Sequence, residues 1–184
     1  DVNGIGYKIF MSETAINKLG AIGEIIKIHT YVRVREDDIS IYGFNTNEEL
    51  RMFELLLSVS GIGAKSALVI LSNVSVSSFA LAIINNDINL LKKLPGIGPK
   101  TAQRVILELK DKLKKENEIV ANENTDISDT INTAIMDDEK IAEATAALKV
   151  LGYTGKEIEK ALEKVDANLS VEDIIRKGLL NLAR

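Results

Sequence analysis

Leu57-Ser58-Val59-Ser60-Gly61-Ile62-Gly63-Ala64-Lys65-Ser66-Ala67 is answered further along the chain by Leu91-Lys92-Lys93-Leu94-Pro95-Gly96-Ile97-Gly98-Pro99-Lys100-Thr101-Ala102. Gly61 and Gly96 stand 35 residues apart, and in that alignment Pro95 falls opposite Ser60. Both segments read apolar helix, Gly-Ile-Gly, one residue, Lys, a hydroxyl residue, Ala and a second apolar helix. Glycines permit a tight turn and a close approach of backbone to a ligand. The helix that follows begins with unpaired N–H groups and a partial positive charge, which suit a phosphate oxygen. Lys65 or Lys100 adds a full charge beside them, and Pro99 fits the first helical turn, where no N–H is lost to the ladder. Ala67 and Ala102 are small enough for close helix packing, and Ile62 and Ile97 plug the turns into the core. One copy alone reads most simply as a helix connector, because short motifs match by chance. Two copies in register read as paired helix-hairpin-helix units. They make Gly61, Gly63, Lys65, Ser66, Gly96, Gly98, Lys100, Thr101 and Arg104 candidate DNA-contacting residues.

Charge agrees with that placement. The net charge of −4 over 184 residues conceals three regions. Residues 48–115 carry ten basic and six acidic side chains, a net of +4, whereas residues 1–47 come to −1 and residues 116–184 to −7. A basic middle between acidic flanks locates any polyanion-binding surface in the middle. Aromatic residues make up 4% of the chain and there is no Trp, so no base-stacking platform stands out. There is no Cys, which excludes disulfides and thiolate metal sites and agrees with a reducing cytoplasm. No membrane span or secretory signal is evident.

Outward from the repeat, the period changes. Residues 1–46 read as β structure: a short strand at Tyr7–Met11, then Ile25–Val34, where Ile26, Ile28, Thr30, Val32 and Val34 share one face. The polar turn Arg35-Glu36-Asp37-Asp38 leads into Ile39–Tyr42, which Gly43 is expected to end, making a hairpin. Helical spacing begins at Asn47 and runs through Leu50, Phe53, Leu56 and Leu57. Further helices are expected at Ala67–Leu71, Phe79–Ile84, Leu90–Leu94 and Thr101–Leu113. Glu116–Asp137 has no basic residue and reads as a flexible acidic linker. In residues 138–184, Ile141, Ala144, Leu148 and Leu151 share a face and Gly152 suits a helix C-terminus. Thr154-x-x-Glu157 matches a capping box and Ser170 an N-cap. A three-helix bundle of this size buries little surface and is expected to be marginal alone, or supported by a partner.

Two other readings of the glycine motif fail on the residues. An ATP-binding phosphate loop needs Gly immediately before the Lys, where this chain has Ala64 and Pro99. A hairpin-containing glycosylase needs a catalytic Asp in a strand-like context after the second helix; Asp111 instead falls within a Lys-rich helix and reads as a solvated surface residue. No catalytic or metal-binding residue, and no cofactor, is expected.

The chain resembles the RuvA family of Holliday-junction branch-migration subunits. The resemblance is carried by Val2-Asn3-Gly4-Ile5-Gly6-Tyr7, Val34-Arg35-Glu36-Asp37, Tyr42-Gly43-Phe44, both hairpins, and Leu148-Lys149-Val150-Leu151-Gly152-Tyr153, in that order and spacing. It implies an α+β multidomain fold: a partial OB-fold β-barrel over residues 1–46, whose first strand and part of the second would precede Asp1, and a tandem helix-hairpin-helix all-α domain over 47–115. The linker over 116–137 and a mobile C-terminal three-helix, UBA-like bundle over 138–184 would follow. It also implies four-way junction DNA as ligand, a homotetramer or octamer, and a hexameric ATPase partner, RuvB. RuvB would consume the ATP, making the chain a non-catalytic subunit of a helicase complex in recombination, repair and the SOS response. The junction resolvase RuvC is a further implied partner, and the cytoplasm the implied location. By position, Glu36 and Asp37 match an acidic pin near the junction centre, although as residues they read as an ordinary solvated turn. Leu148, Leu151 and Tyr153 match the motor-docking region, although as residues they read as bundle core. His29 is given no role, and Asp126 and Asp129 read as solvating charge. The alternative functions are a hairpin-containing DNA repair enzyme or a general duplex-binding module.

Overall fold

The computed structural model describes residues 1–122 and 134–183. Helical spacing from Asn47 gives α2 (Asn47–Leu57), after a short α1 (Glu13–Ile16) that has no long apolar period to announce it. Four more helices complete the middle of the chain: α3 (Ala64–Asn73), α4 (Val76–Ile84), α5 (Ile88–Leu91) and α6 (Pro99–Asn122). Most starts are set by side chains that accept from a first-turn N–H, satisfying donors the helix cannot pair itself. Thr46 accepts from Glu49 N at 3.3 Å, Ser75 from Ser78 N at 3.2 Å, and Asp87 from Leu90 N at 2.9 Å. α6 continues to Asn122, past the expected end at Leu113, because Glu116–Ala121 contains good helix formers and neither Gly nor Pro. Eleven residues of the expected linker are therefore helical, seven at the end of α6 and four at the start of α7, which begins at Ala134; Asp126 and Asp129 lie outside the described residues.

The N-terminal part is a three-stranded sheet in the order β1-β3-β2. β1 (Ile9–Phe10) runs parallel to β3 (Ile39–Phe44), and β2 (His29–Val34) pairs antiparallel with β3, His29 opposite Phe44 and Val34 opposite Ile39. Two expectations differ from the structure. The strand read at Ile25–Val34 is regular only from His29. Gly43 does not end β3 but lies within it: a Cβ there would stand 2.5 Å from Ile9 Cγ2, so the absent side chain lets β1 pack close. The aliphatic face of the hairpin is the outer one. Val32, Val34 and Ile39 are exposed, while Tyr31, Tyr42 and Phe44 turn inward because α2 presents an aromatic partner.

That partner is Phe53, fully buried on α2. Its ring lies 4.8 Å from Phe44, 5.3 Å from Tyr42 and 5.5 Å, edge-on, from Tyr31. The sheet is thus joined to the helices by an aromatic cluster, a geometry that adds to simple area burial. From Phe53 the core continues through Met52, Leu56, Ile70, Phe79, Ile83, Leu91 and Leu109.

The C-terminal unit is α7 (Ala134–Val150), α8 (Gly155–Leu162) and α9 (Val171–Leu182). α7 closes on Gly152 at φ +98°, with Tyr153 N donating to Leu148 O and Gly152 N to Lys149 O, a Schellman ending. Glu157 accepts from Thr154 N at 2.8 Å, and Ser170 accepts from Asp173 N at 3.2 Å. This unit packs against the middle helices through α6–α7 and α4–α9. Arg51 Nε donates to Val150 O at 3.2 Å, Asn47 Nδ2 to Gly152 O at 3.3 Å, and Arg176 Nε to Asn85 Oδ1 at 3.0 Å. A Cβ on Gly152 would come within 2.8 Å of Glu48 Cα, so glycine is required here both for φ and for space. The support that so small a bundle needs comes from within the chain.

Replacing Phe53 with Ala removes the ring that touches Tyr31, Tyr42 and Phe44 together. The expected loss is about 3–5 kcal/mol of unfolding free energy, with a smaller loss for Phe53→Leu. Urea titration of the two variants against the parent checks both values.

Candidate nucleic-acid interface

The two glycine turns have matching backbones. Val59 N donates to Leu56 O and Leu94 N to Leu91 O, each at 3.1 Å. Ile62 N donates to Val59 O and Ile97 N to Leu94 O, again at 3.1 Å. Gly61 has φ +92° and Gly96 φ +83°, a left-handed conformation that costs other residues. Ile62 and Ile97 are buried beneath the turns, and Ala67 and Ala102 are fully buried where the helices meet. The expected plug and close-packing positions therefore have the geometry assigned to them.

What the turns present outward is a helix start without a side-chain cap. Gly63 is the N-cap of α3 and makes no side-chain cap bond; Gly98 precedes Pro99 of α6 and has no side chain to cap with. The first ladder bonds are Ala67 N to Gly63 O and Ala102 N to Gly98 O. The N–H groups of Ala64, Lys65 and Ser66 precede the first of these, as do those of Lys100 and Thr101 in the second turn, where Pro99 has none. Lys65 and Lys100 are exposed beside them, and Ser66 and Thr101 are half-buried. Uncapped N–H groups, an axial dipole and a lysine charge form an anion-binding arrangement twice over.

Arg104, exposed on α6, reaches across to the first turn. Its Nη1 donates to Ser60 O at 3.2 Å and to Ser60 Oγ at 3.3 Å, and its Nε lies 3.8 Å from Glu108 Oε1. Sequence reading found Arg104 but missed Ser60 and Glu108; the only signal was the mismatch of Ser60 with Pro95 in the repeat.

The other predicted residues stand apart from the turns. Glu36 and Asp37 are exposed on the β2–β3 turn, which is closed by Arg35 N donating to Asp38 O at 2.8 Å. The third acid, Asp38, accepts from the Ser40 hydroxyl and is tied to the strand. Leu148 and Leu151 are fully buried, as their reading as bundle core requires. Tyr153 is half-buried against the middle helices. Burial, and then the negative charges of Glu48 and Glu157, push its hydroxyl up to about 12, against an opposing hydrogen bond with Ser77. The Asp111 side chain lies outside the described residues. No single helix among the described residues is long and apolar enough to cross a membrane.

Three family models match the chain in order: the RuvA N terminal domain over residues 1–43, a SAM-like helix-hairpin-helix tandem over 53–111, and the RuvA C-terminal domain over 139–183. A protein of Acetivibrio thermocellus named Holliday junction branch migration complex subunit RuvA is 49% identical over 99% of the chain and 89% of its own length. The chain belongs to the RuvA family. Relatives of the same name from Clostridium perfringens and Clostridium botulinum are 46% and 48% identical, over 100% and 99% of the chain and 90% and 89% of their own lengths. The family models for the RuvA termini cover the sheet and the α7–α9 bundle, and the tandem model covers both turns. The expected partial OB fold with two helical units thus agrees with family and structure together.

Two measurements follow. If each turn lysine neutralises one phosphate, Lys65→Ala and Lys100→Ala should each reduce the slope of log affinity against log salt by about 1, and the double variant by about 2, regardless of DNA sequence. An unchanged slope for the double variant removes the assignment. The second concerns Tyr153. Its folded value lies above the unfolded value of about 10, so its stabilising contribution is complete below pH ~10 and is lost as pH rises towards ~12. Unfolding free energies of the parent should therefore fall relative to Tyr153→Phe across that window.

Proposed function

We infer that the protein is a structure-specific DNA-binding subunit that recognises Holliday junctions and acts in branch migration. The observation that carries this is the duplicated turn: two uncapped helix starts with a lysine each, in the basic middle of a chain whose relatives bear that function in their name. Backbone N–H groups and lysines hold phosphates and carry no base information, so recognition is of shape rather than sequence. Gly61, Gly63, Lys65 and Ser66 form one phosphate site and Gly96, Gly98, Lys100 and Thr101 the other, with Arg104 between them.

The finer assignments rest on resemblance and on placement. The molecule works in the cytoplasm as a homotetramer or octamer that holds four arms. RuvB is the ATP-consuming motor, RuvC the nuclease that follows, and the α7–α9 unit is the motor-docking element, which the buried Leu148 and Leu151 shape from its core beside Tyr153. Residues 1–46, 47–115 and 138–184 are the corresponding domains. Glu36 and Asp37 face the junction centre, where phosphates of crossing strands converge. Like charges there repel most strongly where the effective dielectric is low, by about 4 kcal/mol for a pair at ~4 Å near a protein surface. Such repulsion penalises a continuous duplex more than an open junction.

Affinity for a four-way junction should exceed that for a linear duplex of equal length; equal affinities would reduce the protein to a general duplex binder. Glu36→Gln combined with Asp37→Asn should raise duplex affinity more than junction affinity, lowering the ratio most at low salt, where screening is weakest. An unchanged ratio would make these two acids a solvated turn.

A further inference from the structure

The two turns share a backbone but are braced differently. At the position before the first glycine, the second turn has Pro95, which has no N–H and a fixed φ. The first turn has Ser60, whose N–H donates to Glu108 Oε2 at 3.3 Å. Arg104 holds the same residue by its carbonyl and hydroxyl, at 3.2 and 3.3 Å. Both side chains come from α6, the helix launched by the second turn, more than forty residues further along the chain. The equivalent positions on α3 are Val69 and Asn73. Val69 has no polar side-chain atom, and the Asn73 amide donates to Val69 O at 2.7 Å. The brace is therefore one-sided. An acid beside a phosphate-binding turn is also unfavourable by charge alone.

We propose that Glu108 is a positioning residue for the first hairpin, accepting the Ser60 N–H so that α6 fixes the first phosphate site relative to the second. Proline does the same work in the second turn by covalent means. The proposal rests on the reading of both turns as phosphate sites. It makes a prediction opposite in sign to simple electrostatics, in which removing an acid near DNA tightens binding.

The test uses the full chain and measures affinity for a four-way junction, with amide hydrogen exchange of Ser60 in the DNA-free protein. Glu108→Ala should weaken junction binding roughly three- to tenfold and speed Ser60 exchange by a similar factor, the size expected for one lost solvent-exposed hydrogen bond of ordinary strength. Glu108→Gln, which keeps an acceptor without the charge, should stay within about twofold of the parent in both. Ser60→Pro copies the second turn and should make Glu108 dispensable, so that Ser60→Pro with Glu108→Ala binds like Ser60→Pro alone. Tighter or unchanged binding by Glu108→Ala, a Gln variant as weak as Ala, or no rescue by proline overturns the proposal. Lys65→Ala and Lys100→Ala run in the same assay. If neither weakens binding, the phosphate reading has failed, and unchanged Ser60 exchange in Glu108→Ala then separately overturns the brace.

Discussion

Two helix starts in this molecule, at Gly63 and Gly98, have no side chain that could cap them, and much of the surrounding structure follows from that constraint. A side-chain cap is worth about 1 kcal/mol to a helix. At Gly63 and Gly98 that stabilisation is absent, whereas α1, α2, α4, α5 and α9 all begin on a capping Ser, Thr or Asp. The turns are held from beneath instead. Ile62 and Ile97 anchor them in the core, and fully buried Ala67 and Ala102 bring the flanking helices together. Polar groups available to a ligand thus rest on apolar groups that are not.

The same division recurs at larger scale. Few aromatic residues are present, and Tyr31, Tyr42, Phe44 and Phe53 gather at the joint between sheet and helices, where a rigid connection sets the acidic β2–β3 turn relative to the two glycine turns. The C-terminal unit is attached by different means. Arg51 and Asn47 reach the carbonyls at the end of α7, and Tyr153 inserts beside Ser77. These bonds reach a helix end whose carbonyls its own ladder cannot satisfy.

The repeat was legible because two copies of a constrained turn leave the same residue types at a fixed spacing. Ile62, Ile97, Ala67 and Ala102 each took the place that their size and apolarity dictate. The capping box at Thr154 and the Gly152 ending were legible for the same reason: each is a local solution to unpaired backbone groups. Long-range choices were not. The alternation of Val32 and Val34 gave the period of β2 but not its inward face, which depends on Phe53 nearly twenty positions away. Gly43 looked like a strand end, yet it is a point of close approach to Ile9, a residue on another strand. Nothing near Ser60 announced Glu108, since their contact spans 48 residues. The extension of α6 to Asn122 was hidden by acidic composition, which favours solvation without opposing a helix.

The hydrogen bonds that seat the C-terminal unit join residues 99 and 105 positions apart. Closing so long a loop carries an entropic cost that local contacts do not. On the ribosome, α2 and both glycine turns emerge long before Val150 and Gly152, and chains fold from the N-terminus as they emerge. By order of synthesis, the carbonyls at the end of α7 come last to donors on α2 that emerged long before them. The order of synthesis thus favours a course in which the helical middle forms first and offers the surface on which the last unit comes to rest.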